Sequence, residues 1–256
     1  MIKVTGVFPD TIQAVVTTAD GVGNLAAHVG DDPAQVVLRR RQLQRQLNLA
    51  KSPQWLQQVH GTDVIEHRHG DKAQRLTRQQ RVADACWTSG LGTSCAVLTA
   101  DCLPVLFASQ NGSHVAAAHA GWRGLLAGVL QNTVTAVPVP ASELIAWIGP
   151  AISQPHFQVG DEVRQAFVNA NPAFADFFLA DNLLADNSPV ASKLAHESPQ
   201  RWLCDLAAIA EAVLVSAGVG KVVQSGWCSF ADSQRWYSYR RQPACGRMAS
   251  LIWRHH

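Results

Sequence analysis

Short apolar runs rich in β-branched residues alternate with segments of helical periodicity along the chain. Residues 4–17 predict a pair of strands. A continuous apolar run at residues 94–100 has the length and branching of a buried strand. The Asn111-Gly112 dipeptide is typical of a hairpin turn between two further strands. Other strands are predicted at residues 105–109, 115–119, 145–148, 221–223 and 236–239, with an extended segment at 55–66.

Helical patterns lie between these strands. The first helix is predicted over residues 33–47, because Asp31 or Asp32 can cap it and Pro33 suits its first turn. Residues 71–81 are polar and predict a loop or exposed helix, and the poorly periodic residues 171–200 predict a variable loop. Further helices are predicted at residues 121–136, 161–170 and 203–217.

This mixture of strand pairs and helices, without an internal repeat, indicates an α+β (mixed α/β) fold. We expect a single domain of layered β-sheets flanked by helices over residues 1–256. The composition agrees with a folded chain, since apolar residues are 47% of the total and charged residues 16%.

Charge and targeting signals exclude several classes of function. The net charge of +2 does not indicate binding to nucleic acid or to an anionic membrane, and Arg39-Arg40-Arg41 is the one basic run that stands out. The first residues lack the pattern of a secretory signal, and no apolar stretch is long enough to cross a bilayer. Six irregularly spaced cysteines do not indicate a disulfide framework. We therefore expect a cytoplasmic protein with a small-molecule substrate.

His60, Cys102 and His119 provide the ligand types of a catalytic zinc site, which takes three protein ligands and leaves a fourth position open. Cys102 and His119 lie at the ends of different predicted strands, where side chains reach a cleft. Spacing alone is weak evidence, because ten histidines and six cysteines allow accidental triples and such residues often pack in cores.

Unusual residues flank two of these ligands. Asp101 ends an apolar strand, where an unpaired carboxylate is costly. Gly121 and Gly124 permit close backbone approach, and Arg123 between them can offer a planar fork to an anion. A tight turn with a packed Trp and a surface Arg explains this segment equally well.

An arginine cluster lies near the carboxyl end. Arg240, Arg241 and Arg247 alternate with tyrosines and a glycine, which suits binding of phosphate and stacking on a planar base. From the sequence alone, we favour the interpretation that these arginines form an exposed, stacked row on an edge strand. No segment matches a phosphate-binding loop or a dinucleotide fingerprint.

Specific short motifs are spread over nearly the whole chain. They are Asn24-Leu-Ala-Ala-His28, Gln58-Val-His60-Gly, Ala83-Asp-Ala, Thr99-Ala-Asp101-Cys102, His119-Ala-Gly-Trp-Arg123-Gly, Gly149-Pro-Ala-Ile, Tyr237-Ser-Tyr-Arg-Arg and Gly246-Arg-Met-Ala-Ser. Taken together, these motifs resemble the YfiH-type family, also described as laccase-domain, multicopper polyphenol oxidase or zinc-dependent purine nucleoside phosphorylase proteins, with small departures at Gln158 and Cys245. The resemblance implies a YfiH-like fold and metal ligands at His60, Cys102 and His119.

The resemblance also implies an activity. It implies phosphorolysis of purine nucleosides, including methylthioadenosine, and hydrolytic deamination of adenosine at a zinc site, by a monomer or small homo-oligomer. We expect Asp101 or His28 to move protons and Arg123 to act on an anion at the reacting centre. Residues expected to contact the nucleoside or phosphate are Asn24, Arg40, Arg240 and Arg247.

Two other activities remain open at this point. A copper polyphenol oxidase would use the same cysteine and histidines, but it needs further coppers, and His67-Arg-His69 is the one additional paired-histidine motif. An amidase that edits peptidoglycan precursors would need a cleft of the same size as that of a nucleoside enzyme, with contacts to phosphate. We rank nucleoside chemistry with zinc above both alternatives, and zinc above copper as the metal.

Overall fold

The computed structural model describes residues 1–67, 81–181 and 200–255. Five α-helices lie in these ranges: α1 (Pro33–Gln46), α2 (Trp122–Ala127), α3 (Val129–Ala136), α4 (Asp161–Ala170) and α5 (Leu206–Ser216). The strands are β1 (Ile2–Lys3), β2 (Ile12–Val16), β3 (Leu56–Gln57), β4 (Val64–Glu66), β5 (Arg81–Val82), β6 (Ala85–Thr88), β7 (Ser94–Thr99), β8 (Leu103–Ser109), β9 (Val115–Ala120), β10 (Leu144–Ile148), β11 (Gln158–Gly160), β12 (Phe178–Ala180), β13 (Arg201–Cys204), β14 (Lys221–Gln224) and β15 (Met248–Arg254).

Two large sheets form the centre of the fold. One has the strand order β1-β2-β15-β7 and the other β14-β10-β8-β9-β6-β4. Smaller sheets of order β11-β13-β12 and β3-β5 lie beside them. Most neighbouring strands are antiparallel, while β4-β6, β10-β14 and β3-β5 are parallel. The predicted α+β class is therefore confirmed.

Side chains that alternate along the central strands build three apolar layers. On β7, Val97 belongs to the layer between the large sheets, whereas Leu98 packs with Leu43 of α1 on the other side. On β8, Leu106 packs in the same layer as Val97, between the large sheets. Phe107 packs in the third layer, which lies between the six-stranded sheet and the helices α2 to α5. Because these strands are buried on both faces, their sequences are almost continuously apolar.

Several predicted elements are confirmed and others are wrong. The helices at 33–47 and 161–170 and the strands at 94–100, 105–109, 115–119, 145–148 and 221–223 are present within a few residues. The helix predicted at 121–136 is two helices, because Gly128 between them adopts a left-handed φ of 101°. The helix predicted at 203–217 begins at Leu206, where Asp205 caps it through the Ala208 amide.

The predicted late strand at 236–239 is wrong, since residues 236–238 belong to no strand or helix and residue 239 begins a turn. The strand near the carboxyl end is instead β15, which pairs with β2 and β7 in the interior of its sheet. The extended segment at 55–66 is two short strands, β3 and β4, separated by a turn. The variable loop predicted at 171–200 is wrong for its described beginning, where Pro172–Phe177 form a 3-10 helix and Phe178–Ala180 form β12. Residues 182–199, and residues 71–80 of the other loop prediction, lie outside the described residues, while Arg81 begins β5. No helix in the described ranges has the length and hydropathy to cross a membrane.

Candidate metal centre and substrate cavity

His60, Cys102 and His119 meet because three chain segments converge at one end of the six-stranded sheet. Cys102 directly precedes β8, His119 lies near the end of β9, and the two strands are paired so that Pro104 faces His119. The turn between β3 and β4 brings His60 alongside. One potential ligand atom from each residue lies within 4.8 Å of the others, and Cys102 Sγ is 3.7 Å from His60 Nε2.

Two residues at the centre hold a backbone conformation that is unusual for non-glycine residues. His60 has a φ of 59° and Asp101, next to Cys102, has a φ of 88°. Such conformations persist where the surroundings fix them. The turn at His60 is fixed by hydrogen bonds to Asp84, and Asp101 is fixed by hydrogen bonds from a different part of the chain.

Asp84 lies between β5 and β6, is fully buried and contacts both histidine segments. Its carboxylate accepts hydrogen bonds from the backbone amides of Val59, His60 and Gly61 and lies 2.8 Å from His119 Nδ1. Asp84 was not among the residues predicted to act at the site, although a carboxylate between the apolar residues 83 and 85 is a sequence signal that points to it.

Glycines allow the backbone to approach the ligands closely. A Cβ atom at Gly121 would lie 2.6 Å from His60 Cδ2 and 3.1 Å from Cys102 Sγ. One at Gly124 would lie 3.0 Å from the Gly61 carbonyl oxygen. The glycines on either side of Arg123 are therefore needed to seat α2 against the turn that carries His60.

Neighbouring groups shift the pKa values of Cys102 and His119 in opposite directions. Burial alone would raise the pKa of the Cys102 thiol, but His119 and His60 lower this pKa to about 6. Burial alone would lower the pKa of His119, but the Cys102 thiolate and Asp84 raise this pKa to about 9. Around neutral pH the metal-free centre thus contains a thiolate beside an imidazolium, and the thiolate form is the one that binds metals.

The donor set fits a metal ion. A thiolate and two imidazoles are ligands that zinc prefers, and three of them leave a position for water or substrate. No second group of three such residues occurs in the parts of the chain that the structure describes. The geometry supports a His-Cys-His metal site without distinguishing zinc from copper.

A cavity of about 590 Å³ opens onto this centre. It is large enough for a small-molecule substrate. Its residues combine apolar, aromatic, cationic and amide side chains. They are His28, Gln58, His60, Leu98, Thr99, Ala100, Asp101, Cys102, His119, Trp122, Arg123, Ile152, Phe157, Leu206, Tyr239, Arg240 and Arg247.

Asp101 lines the cavity, but its carboxylate is occupied by protein donors. It accepts hydrogen bonds from the hydroxyls of Ser229 and Ser238, at 2.6 and 3.0 Å, and from the Arg240 amide at 2.7 Å. Asp101 therefore ties the loop that carries Arg240 to the segment that carries Cys102. The two serines were not found from the sequence, since nothing local links them to a residue more than a hundred positions away.

The predicted arginines differ in how they are held. Arg123 stacks on the Trp122 ring at 4.2 Å, and its guanidinium donates no hydrogen bond to any described residue. Arg240 donates to the Gln158 carbonyl, and Arg247 donates to the backbone carbonyl of residue 245. All three line the cavity, so its wall is cationic.

Arg241, by contrast, points its guanidinium at backbone carbonyls. It donates to the carbonyls of Ser229, Phe230 and Trp236. Unlike the other two arginines of its cluster, it is absent from the cavity wall.

The remaining predicted residues lie at or behind the rim. His28 lines the cavity, and burial together with Arg247 and Arg40 lowers its pKa. Asn24 and Arg40 do not line the cavity. Asn24 accepts from the Arg247 amide at 2.9 Å and donates to Asp31 at 2.9 Å. Arg40 lies over the Trp55 ring and donates to the Leu25 carbonyl, and burial lowers its pKa to about 10.

Known proteins resemble this chain over almost its whole length. A family model described as multi-copper polyphenol oxidoreductase laccase matches residues 12–255. The chain belongs to this family. The resemblance to YfiH-type proteins inferred from the sequence motifs is thereby confirmed.

Similar proteins include two that are named as enzymes and one whose crystal structure has been solved. The purine nucleoside phosphorylase of Pseudomonas aeruginosa is 43% identical over 96% of this chain and 94% of its own. The purine nucleoside phosphorylase YfiH of Escherichia coli is 40% identical over 90% of this chain and 85% of its own. A crystal structure of a Neisseria meningitidis protein covers 100% of this chain and 99% of its own, with 37% identity and a TM-score of 0.85.

Proposed function

We propose that the protein is a metal-dependent purine nucleoside phosphorylase, with zinc at His60, Cys102 and His119. The observation that carries this proposal is a three-ligand centre that opens onto a cavity with a cationic wall. The names of the relatives from Pseudomonas aeruginosa and Escherichia coli supply the substrate class. Phosphorolysis of methylthioadenosine and deamination of adenosine are further activities that we propose for the same site.

The arginines of the cavity wall supply the positive charge that phosphate binding needs. Inorganic phosphate needs several charge-assisted donors, and Arg123 can offer its planar fork beside the metal centre. Arg240 and Arg247, held in part by backbone carbonyls, extend the cationic wall. In phosphorolysis an oxygen of the bound phosphate bonds to the anomeric carbon of the ribose. The bond from that carbon to the purine nitrogen breaks, and the base leaves with a proton while the sugar keeps the phosphate.

Aromatic and apolar residues suit the purine and the ribose. Tyr239 is 54% exposed at the cavity rim and lies near Arg247, so a base can stack on its ring. Leu98, Ile152 and Phe157 give the interior an apolar surface. Stacking and apolar contact hold the nucleoside, while the arginines keep phosphate on one side of it.

Proton transfer is assigned to His28 and not to Asp101. The lowered pKa of His28 keeps its imidazole neutral near pH 7, so that it can accept a proton from an attacking water during deamination. Asp101 already accepts three hydrogen bonds, which suits a residue that positions Arg240. A zinc ion at the three ligands would supply Lewis acidity near the reacting bond.

The proposal is tested by product analysis with adenosine on protein of known metal content. We expect adenine that forms only when phosphate is present, and inosine that forms with or without phosphate. Cys102→Ala should lower both rates by at least about a hundredfold, since the ligand set is lost. Cys228→Ala is the matched control, because this half-buried thiol lies outside the cavity wall, and its rates should stay within about twofold of the unmodified protein.

Other results would favour the alternatives. Stoichiometric copper with oxygen-consuming phenol oxidation would support a polyphenol oxidase. Absence of any product from nucleosides, together with release of an amino acid from a nucleotide-linked muramyl peptide, would support the editing amidase. Full turnover in Cys102→Ala would overturn every assignment that uses this metal centre.

A further inference from the structure

The carboxylate of Asp84 contacts both histidine ligands of the proposed metal centre at once. Oδ1 accepts from the His60 amide at 2.9 Å and lies 2.8 Å from His119 Nδ1. Oδ2 accepts from the Val59 amide at 3.1 Å and from the Gly61 amide at 2.7 Å. A single fully buried side chain therefore has four donors, and one of its oxygens joins two ligands from distant parts of the chain.

The contact to His119 determines which ring nitrogen remains for a metal. The short distance places the Nδ1 hydrogen on the side of Asp84, so that Nε2 is left as the ligand atom. The backbone adds a second restraint, because the His119 amide donates to the Asp84 carbonyl at 2.7 Å. The imidazole of His119 is thus fixed in both tautomer and direction.

The contacts to residues 59–61 determine where His60 points. Three successive amides converge on one carboxylate, and this holds His60 at its left-handed φ of 59°. The His60 side chain is exposed, and its ring contacts the His119 ring edge-on at 4.7 Å, so burial contributes little to holding it in place. Without Asp84, an ordinary extended conformation at residue 60 would carry the imidazole away from Cys102.

We propose that Asp84 is a positioning residue that sets both histidine ligands and thereby determines the affinity for the metal. The inference rests on the metal centre of the proposed function and is independent of the nucleoside chemistry. Because Oδ1 is shared, a change at Asp84 displaces His60 and His119 together, whereas a change at either histidine removes one ligand only.

Zinc affinity of Asp84→Asn, measured by competition with a chromogenic chelator, tests the proposal. An amide side chain offers one acceptor oxygen and directs its NH₂ group at donors, so we expect zinc to bind at least about tenfold more weakly. Asp63→Asn is the control, since Asp63 is exposed, lies in the same turn and undergoes the same change of charge. Its affinity should remain within about twofold. Equal zinc affinity in a folded Asp84→Asn variant and the unmodified protein would overturn the proposal.

A measurement on the unmodified protein covers the case in which Asp84→Asn fails to fold. Nitrogen-15 NMR of histidine-labelled, zinc-loaded protein should show His119 bound to zinc through Nε2, with a slowly exchanging hydrogen on Nδ1. Zinc on Nδ1, or an Nδ1 hydrogen that exchanges as fast as in a free imidazole, would contradict the role of Asp84. Neither readout uses a nucleoside, so a failure of the phosphorylase assignment is distinguishable from a failure of this inference.

Discussion

Two residues with costly backbone conformations lie at the proposed metal centre. Of the non-glycine residues with positive φ in the described ranges, His60 is a proposed ligand and Asp101 precedes another, while Asn48 follows the end of α1. Strain of this kind, on the order of 1–3 kcal/mol per residue, is retained only where hydrogen bonds compensate it. Asp84 and the donors around Asp101 supply those hydrogen bonds.

At the same scale, the ionisation of Cys102 is predicted to depend on His119. In metal-free protein the rate of Cys102 alkylation by iodoacetamide should rise with pH around a midpoint near 6, because the thiolate reacts and this pKa is lowered to about 6. Replacing His119 with Ala should move the midpoint upwards, since the imidazolium that stabilises the thiolate is removed. Mass spectrometry of the peptide containing residue 102 gives the rate.

The other thiols need a control in this experiment. Cys228 also has a lowered pKa, caused by hydrogen bonds from Ser153 and nearby amides that outweigh its burial. Alkylation is therefore compared with a Cys102→Ser variant to identify the Cys102 peptide. A midpoint that is the same in the unmodified protein and in His119→Ala would contradict the ion pair.

Among the elements, the division between α2 and α3 is needed to shape the site. α2 carries Trp122 and Arg123 into the cavity wall, and α3 packs Val129 and Leu130 into the core beneath it. A single straight helix could not do both, and Gly128 with a φ of 101° provides the change of direction. Sequence periodicity predicted one helix here because apolar residues continue across the break.

Gly128→Ala is therefore expected to destabilise the protein by about 1 kcal/mol or more, because a Cβ atom is unfavourable in the left-handed region. Gly128→Asn should cost less, since asparagine tolerates this conformation. Urea unfolding of metal-free protein measures both values. Equal stability of the alanine variant and the unmodified protein would show that the two helices can merge.

At the scale of the whole molecule, the proposed metal centre joins segments that are far apart in sequence. The turn before β4, the start of β8 and the end of β9 each contribute one ligand. A ligand that binds the folded state alone adds RT ln(1 + [L]/Kd) to its stability. Metal bound here should therefore stabilise the fold as well as support turnover.

Removal of zinc with a chelator is predicted to lower the thermal midpoint. With free zinc about one hundredfold above its Kd, the loss corresponds to about 2.7 kcal/mol. Differential scanning calorimetry with and without added zinc measures the change. Cys102→Ala should show little response to chelator, and an unmodified protein without any response would contradict zinc binding at this centre.

Sequence by itself determined much of the local structure and indicated the candidate metal ligands. Periodicity predicted the buried strands from 94 to 119 and the helix at 33–47, because these patterns follow directly from which face of an element is buried. Asp31 and Asp32 were both candidate caps for this helix, and the structure shows that Asp32 is the cap. The residue types and motifs indicated His60, Cys102 and His119, which the structure brings together.

Only the tertiary structure decided how these residues work together. Asp84 connects the two histidines through hydrogen bonds, and Asp101 joins Cys102 to Ser229 and Ser238. These contacts span 24 to 137 positions in the sequence, and no local pattern encodes them. The position of β15 and the break at Gly128 were likewise unpredictable, since strand pairing and helix direction depend on packing between distant segments.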